Sequence, residues 1–218
     1  MTSHHPDESL LQAYAIGNLG EPLALLVATH TALCPLCRNA VRDLESIAGT
    51  LLDDLSPTAL SEDSLSSVLA QLDGRETAAA SEASSPVAEG ADTILPQPLR
   101  GYLGRRLSDL PWRQRGVVAD VALFPDRKDF TTRLLRIRKG CRVPLHRHEG
   151  LELTLVLSGA FSDSQGHYLR GDIAVANSSV VHQPVADDDE DCICLAVTDA
   201  PVYLAGPIGR LLNFAFKY

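Results

Sequence analysis

From Asp7 to Leu72 apolar residues recur at steps of three and four: Leu10, Leu11, Tyr14 and Ala15, then Leu23, Leu26 and Val27, then Val41, Leu44, Ile47, Ala48 and Leu51. That spacing lays them along one side of successive helices. Asp7 offers a side-chain acceptor to the first helix, and the stretch from Gly17 to Gly20 breaks the chain after it. Pro22 and Pro35 suit first helical turns, where the missing N–H would have had no partner. A short fourth helix is predicted after Ser61, through SLSSVLAQL, ending at Asp73–Gly74.

The segment RETAAASEASSPVAEGADTILPQP has little to bury and reads as a flexible linker. Beyond it the period changes. Short apolar runs end in Gly, Pro or Asp, among them GVVADVALFP, FTTRLLRIRKG, LELTLVLSG, DIAVAN and CICLAV. Such runs predict an all-β sandwich or barrel. The expected organisation is therefore α+β in two domains: about four helices over 1–78, a linker over 79–98 and a β domain over 99–218. A chain of 218 residues accommodates both.

Period two also sorts the leucines. If Glu152, Thr154 and Val156 face inward, then Leu151, Leu153, Leu155 and Leu157 face outward, unless a bulge near Gly150 reverses them. Four aligned leucines are too apolar for water, so another sheet, another strand layer or a second protomer is expected to cover them. The run ADDDEDC, at Ala186–Cys192, is expected to be a solvated hairpin turn.

Charge divides the chain. Residues 1–98 hold 3 basic and 14 acidic residues, whereas residues 99–218 hold 16 and 14. The acidic half disfavours direct contact with nucleic acid, whose phosphates require Lys and Arg, and favours a basic protein partner. No run approaches the roughly 18 apolar residues of a membrane span. The start lacks a basic region followed by an apolar one, so a cytoplasmic location is expected. Five cysteines then read as metal ligands, buried residues or redox groups rather than a disulfide framework.

The sequence HTALCPLC sets His30, Cys34 and Cys37 in an H-x3-C-x2-C spacing. Two cysteines three apart at a helix start turn both sulfurs to one side, and a histidine at the end of the preceding helix meets them across the turn. That set suits tetrahedral zinc, which needs a fourth ligand for a closed site. His4 and His5 are the other histidines in this half. Two thiolates and two neutral imidazoles would balance a dication, allowing burial without unpaired charge. A thioredoxin-like role lacks the βαβ context it requires.

A second constellation lies in GCRVPLHRHEGLELTLVLSG. His146 and His148 are two apart, so on a strand both imidazoles share a face. A turn at Glu149–Gly150 would bring Glu152 beside them. Three such groups on one interior face would leave polar atoms unsatisfied without a metal. Cys192 and Cys194 also share a strand face, about 6.5–7 Å apart by the strand rise, either as packed thiols or as an oxidisable pair. Cys141 adjoins the histidine strand as a packed residue.

With these motifs in view, SHHPDESLLQAYAIGNLGEPLALLVATHTALCPLC resembles the zinc-binding anti-sigma domain. The whole chain is similar to the ChrR-type anti-sigma factors, which join that domain to a C-terminal cupin, a jelly-roll barrel. The resemblance implies zinc held by His5, His30, Cys34 and Cys37, with His5 in register rather than His4. It also implies a helical domain that binds an extracytoplasmic-function sigma factor. In the barrel, the spacing from Gly140 through His146, His148 and Glu152 to Gly159 resembles the first cupin motif. The second motif places His182 as a further ligand, although Asn177, Ser179 and Ala186 stand where Pro, Gly and Asn are usual. Such a set would suit Zn, Mn, Fe or Ni.

The expected function is thus sequestration of a sigma factor, released under oxidative stress, singlet oxygen above all, sensed through the cupin metal. No enzyme activity, no membrane and no direct nucleic acid are expected, and self-association through the cupin is open. The alternative is a metal-dependent cupin dioxygenase or isomerase with a regulatory helical domain.

Overall fold

The computed structural model describes residues 2–72, 94–127 and 129–205. Helix α1 spans Glu8–Ala15, and Asp7 caps it by accepting a hydrogen bond from the Leu10 amide at 2.8 Å. Gly17, at φ 71°, supplies the left-handed residue that closes its end. Pro22 opens α2 (Glu21–Leu33) and Pro35 opens α3 (Pro35–Asp53). A fourth helix, α4, covers 64–72; its expected end at Asp73–Gly74 lies outside the described residues.

Helix α2 is buried on several sides because it is packed twice. Val27, with Leu11 and Val41, forms the core of the helical domain, whereas Leu25 and Leu26 face the β domain. Helix α3 is amphipathic and buries only Cys37 and Val41.

The β domain contains a six-stranded antiparallel sheet in the order β1 (Arg113–Arg115), β2 (Val118–Leu123), β3 (Thr131–Ile137), β11 (Cys192–Thr198), β5 (Glu152–Ser158), β8 (Ile173–Ala176). Two three-stranded sheets complete the barrel. One joins β10 (Val185–Ala186), β6 (Phe161–Ser162) and β7 (His167–Tyr168), and the other joins β12 (Val202–Leu204), β4 (His146–His148) and β9 (Val181–His182). Phe161, Tyr168 and Ala186 pack onto Ile137, Val156 and Cys194 of the large sheet, forming the barrel interior.

Leu153, Leu155 and Leu157 point out of the barrel and are buried, as their period demands. Their cover is neither another sheet nor a second protomer: they share one core with Leu25 and Leu26 of α2 and with Leu95 and Leu99. Leu151, at the strand's mouth, is 38% exposed. Layering is therefore helices on sheet on sheet.

The expected linker, 79–98, needs correction at its end. Most of it lies outside the described residues, but Leu95 is 2% exposed within the shared core, and Gln97–Leu103 forms a helix, α5. Composition favoured a linker, yet Leu95 and Leu99, with Ile94 and Leu103 packed beside them, dock this short helix. The acidic run between β10 and β11 faces solvent in part and is also tied down. Glu190 accepts from the Gly159 amide and Asp191 from the Lys139 amide, both at 3.1 Å.

Candidate metal centres

The helical centre gathers His5, His30, Cys34 and Cys37, whose ligand atoms lie within 4.8 Å of one another. His5 Nδ1 is 3.5 Å from Cys34 Sγ and 3.4 Å from Cys37 Sγ. Zinc bond lengths imply about 3.6 Å between N and S at tetrahedral vertices, so the spacing fits that ion. His30 sits in the last turn of α2, with its Nδ1 2.8 Å from the Gly171 carbonyl. A carbonyl can only accept, so Nδ1 carries the proton and Nε2 keeps its lone pair. That Nε2 is buried with no hydrogen-bond partner, as a metal ligand should be.

Electrostatics match this assignment. Burial pushes His30 down to about 4, so its ring is neutral at pH 7. Cys34 is held below the ordinary thiol value: burial opposes this, but the Cys37 and Leu36 amides and the Thr2 hydroxyl outweigh it. These donors belong largely to the start of α3, a site that favours thiolate. Cys37 is pushed up to about 12 by burial, and then by Cys34 beside it. A second thiolate beside Cys34 therefore forms only with a cation between the two sulfurs. His4 is turned away from the cluster, its ring 4.6 Å from that of Tyr168.

The barrel centre joins His146 and His148 from β4 with His182 from β9, and His146 is paired with His182 in register. Arg147 between them points out, as strand alternation requires. The three Nε2 atoms converge: His182 lies 3.0 Å from His146 and 3.1 Å from His148. His146 donates from Nδ1 to the Pro144 carbonyl at 2.8 Å, and His182 from Nδ1 to Asp163 at 2.7 Å. Both Nε2 atoms therefore present lone pairs to each other at 3.0 Å, which is repulsive unless a cation lies between. Burial depresses both His146 and His148 to about 4, keeping them neutral donors.

Glu152 is beside this triad rather than within it. Its Oε2 is 3.7 Å from His148 Nδ1, and its Oε1 accepts from the Thr154 hydroxyl at 3.1 Å. The carboxylate belongs to the large sheet, whereas the histidines belong to the small sheet opposite, so the two approach across the barrel. Burial raises its pKa. The space between is a cavity of about 230 Å³, walled by Leu135, Phe161 and Ala174. Asp120, paired with Arg115 and Arg133, lines it too.

The departures from the second cupin motif have a local remedy. Asn177 Oδ1 accepts from the amide and hydroxyl of Ser179, and Val180 N donates to the Asn177 carbonyl, so an Asx turn does the work of proline and glycine. Asp163 was not legible: in SDSQG it reads as a turn residue, and its contact with His182 spans 19 positions. Cys192 and Cys194 share the inner face with sulfurs 3.4 Å apart. Cys194 is raised well above the usual thiol range by its hydrogen bond with the Cys192 thiol and by burial, which keeps it a protonated, packed thiol. Cys141 is half-buried.

Among the described residues no single helix is long and apolar enough to cross a membrane. The family described as ChrR Cupin-like domain matches residues 104–201. The Anti-sigma-E factor ChrR of Cereibacter sphaeroides is 44% identical over 214 residues, covering 98% of each chain. A crystal structure of Rhodobacter sphaeroides SigE in complex with the anti-sigma ChrR matches with a TM-score of 0.77 and 44% identity. That match covers 91% of this chain and 100% of the matched one.

Proposed function

The chain belongs to the ChrR family of anti-sigma factors, and from that membership we propose that it sequesters an extracytoplasmic-function sigma factor on its helical domain. The observation that carries the reading is a run of uncovered leucines. Leu51, Leu52, Leu55, Leu60, Leu65 and Leu69 are 51–81% exposed along the end of α3, the following turn and α4. Exposed leucines this dense along one segment suit a protein-binding surface. It lies in the acidic half of the chain, which suits the basic surfaces through which a sigma factor meets polymerase and DNA.

Zinc held by His5, His30, Cys34 and Cys37 would pin the N-terminal segment to the α2–α3 junction and so fix the angle between helices. The barrel set, His146, His148, His182 and the adjacent Glu152, would hold a divalent ion from among Zn, Mn, Fe and Ni, available to oxidants through the cavity. Loss of either arrangement under oxidative stress, including singlet oxygen, would release the sigma factor. A cytoplasmic site of action follows from such a partner. The helical unit 1–78 supplies the inhibitory surface and the barrel supplies the input. The protein is a regulator, not an enzyme; its barrel fold carries no chemistry by itself. Self-association gains no support from the leucine face, which the chain's own helices cover.

The deciding experiment immobilises the full-length, zinc-loaded chain and exposes it to purified sigma factors of its host. Capture of one of them, lost when Cys34→Ser and Cys37→Ser are combined, is expected. A folded, zinc-loaded protein that captures none would overturn the reading.

A further inference from the structure

The turn leading into β8 leaves the barrel and enters the helical domain. Asp172 there is fully buried. Its Oδ1 accepts from the amides of Ser3 at 2.6 Å and His4 at 3.1 Å, and its Oδ2 from the Leu169 amide at 2.9 Å and the Ser3 hydroxyl at 3.3 Å. The Ile173 amide donates to the His4 carbonyl at 3.1 Å, so the residues just before His5 lie along the start of β8 like an added strand. One residue before Asp172, the Gly171 carbonyl accepts from His30. Gly171 has φ +95°, a backbone conformation that other residues rarely adopt, and a Cβ there would force the Thr2 methyl to shift.

Two of the four candidate ligands are therefore oriented by the other domain. Cys34 and Cys37 are placed by the α2–α3 junction, but His30 takes its tautomer from Gly171, and His5 follows a segment whose two preceding amides end on Asp172. We propose that the barrel turn 169–173 is the outer sphere of the helical metal centre, with Asp172 as a positioning residue for His5, so that metal retention and domain docking form one linked equilibrium. This rests on the reading that His5, His30, Cys34 and Cys37 hold the metal. Partners behind metal ligands commonly change metal affinity by roughly 10–100-fold when lost. Linkage is reciprocal: whatever separates the turn from the helices weakens the metal, and metal loss loosens the docking by the same factor. The turn is also bonded to β5, since Val156 N donates to the Asp172 carbonyl at 3.0 Å and Gly171 N to the Val156 carbonyl at 2.8 Å. Strand β5 begins at Glu152, beside the barrel histidines.

The test uses the full chain loaded with cobalt(II), whose thiolate charge-transfer absorption reports only the centre containing Cys34 and Cys37. Titration with a chelator is expected to show Asp172→Asn and Asp172→Ala binding cobalt roughly 10–100-fold more weakly. Arg127→Ala, which removes an exposed contact of the barrel with Glu21, should stay within about twofold, as expected for a pair worth little. In the unmodified protein, stripping the metal should speed hydrogen exchange at the Ile173 amide. The proposal is overturned if Asp172→Asn, folded, binds cobalt like the parent, or if Ile173 exchange ignores metal removal. The exchange measurement decides even where a variant fails to fold. Absence of any thiolate–cobalt absorption in the parent would instead overturn the metal assignment itself.

Discussion

The Asp163 carboxylate lies 2.7 Å from His182 Nδ1, and both side chains are buried. The acid fixes which nitrogen of that ring carries the proton, and so aims the Nε2 lone pair at His146 and His148. Replacing Asp163 with Ala should leave that tautomer unspecified. Metal affinity at the barrel centre is expected to fall roughly 10–100-fold, with the helical centre unaffected. Metal analysis after graded chelation, with cobalt spectra for the thiolate centre, separates the two; unchanged barrel affinity would remove Asp163 from the site.

Leu26 is fully buried in a core that belongs to both domains. Leu26→Ala is expected to cost about 2–5 kcal/mol, the range for a large-to-small change in a packed core. Because Leu26 packs with Leu155 and Leu195, helical and β signals should unfold together in urea and shift together. Two separate transitions, with only the helical one moved, would contradict a shared core.

Leu65 and Leu69 on α4 are 70% and 51% exposed. Leu65→Glu combined with Leu69→Glu should alter stability little, within roughly 0.5 kcal/mol per surface site. Sigma-factor capture, in contrast, should fall at least about tenfold, equivalent to 1.4 kcal/mol. Equilibrium binding of the folded variant provides the check, and parent-like affinity would place the inhibitory surface elsewhere.

His30, His146 and His148 are each lowered from 6.5 to about 4, by burial first of all. In metal-free protein the unfolded chain takes up their protons as pH falls through 6.5, whereas the folded chain resists until about 4. The unfolded state therefore binds more protons in this window, and stability should decline from pH 6.5 toward pH 4. Thermal unfolding of chelated protein across that range measures it. Glu152, raised by burial, acts in the opposite direction, so a flat or rising stability counts against neutral buried rings when Glu152→Gln shows the same profile.

Much of this was legible in order along the chain. The caps at Asp7, Pro22 and Pro35 are local chemistry, and local chemistry survives into the fold. The H-x3-C-x2-C spacing and the His146/His148 pair state their own geometry, because helix and strand periods convert spacing into direction. The outward set of leucines was likewise legible, but its cover was not, since period names a face and not what lies upon it. Short α5 escaped because composition outweighed two buried leucines.

By itself, the sequence determined two element types, the local candidate ligands His30, Cys34 and Cys37 and the His146/His148 pair, and the uneven charge; His5 and His182, far off along the chain, came only from the resemblance. Tertiary structure alone decided that Asp163 orients His182 and that Gly171 and Asp172 reach from the barrel to His30 and the segment before His5. Those contacts join positions from about 19 to 170 apart. Their partners are chosen by how a sheet, a turn and a helix pack, and no period along the chain encodes that choice.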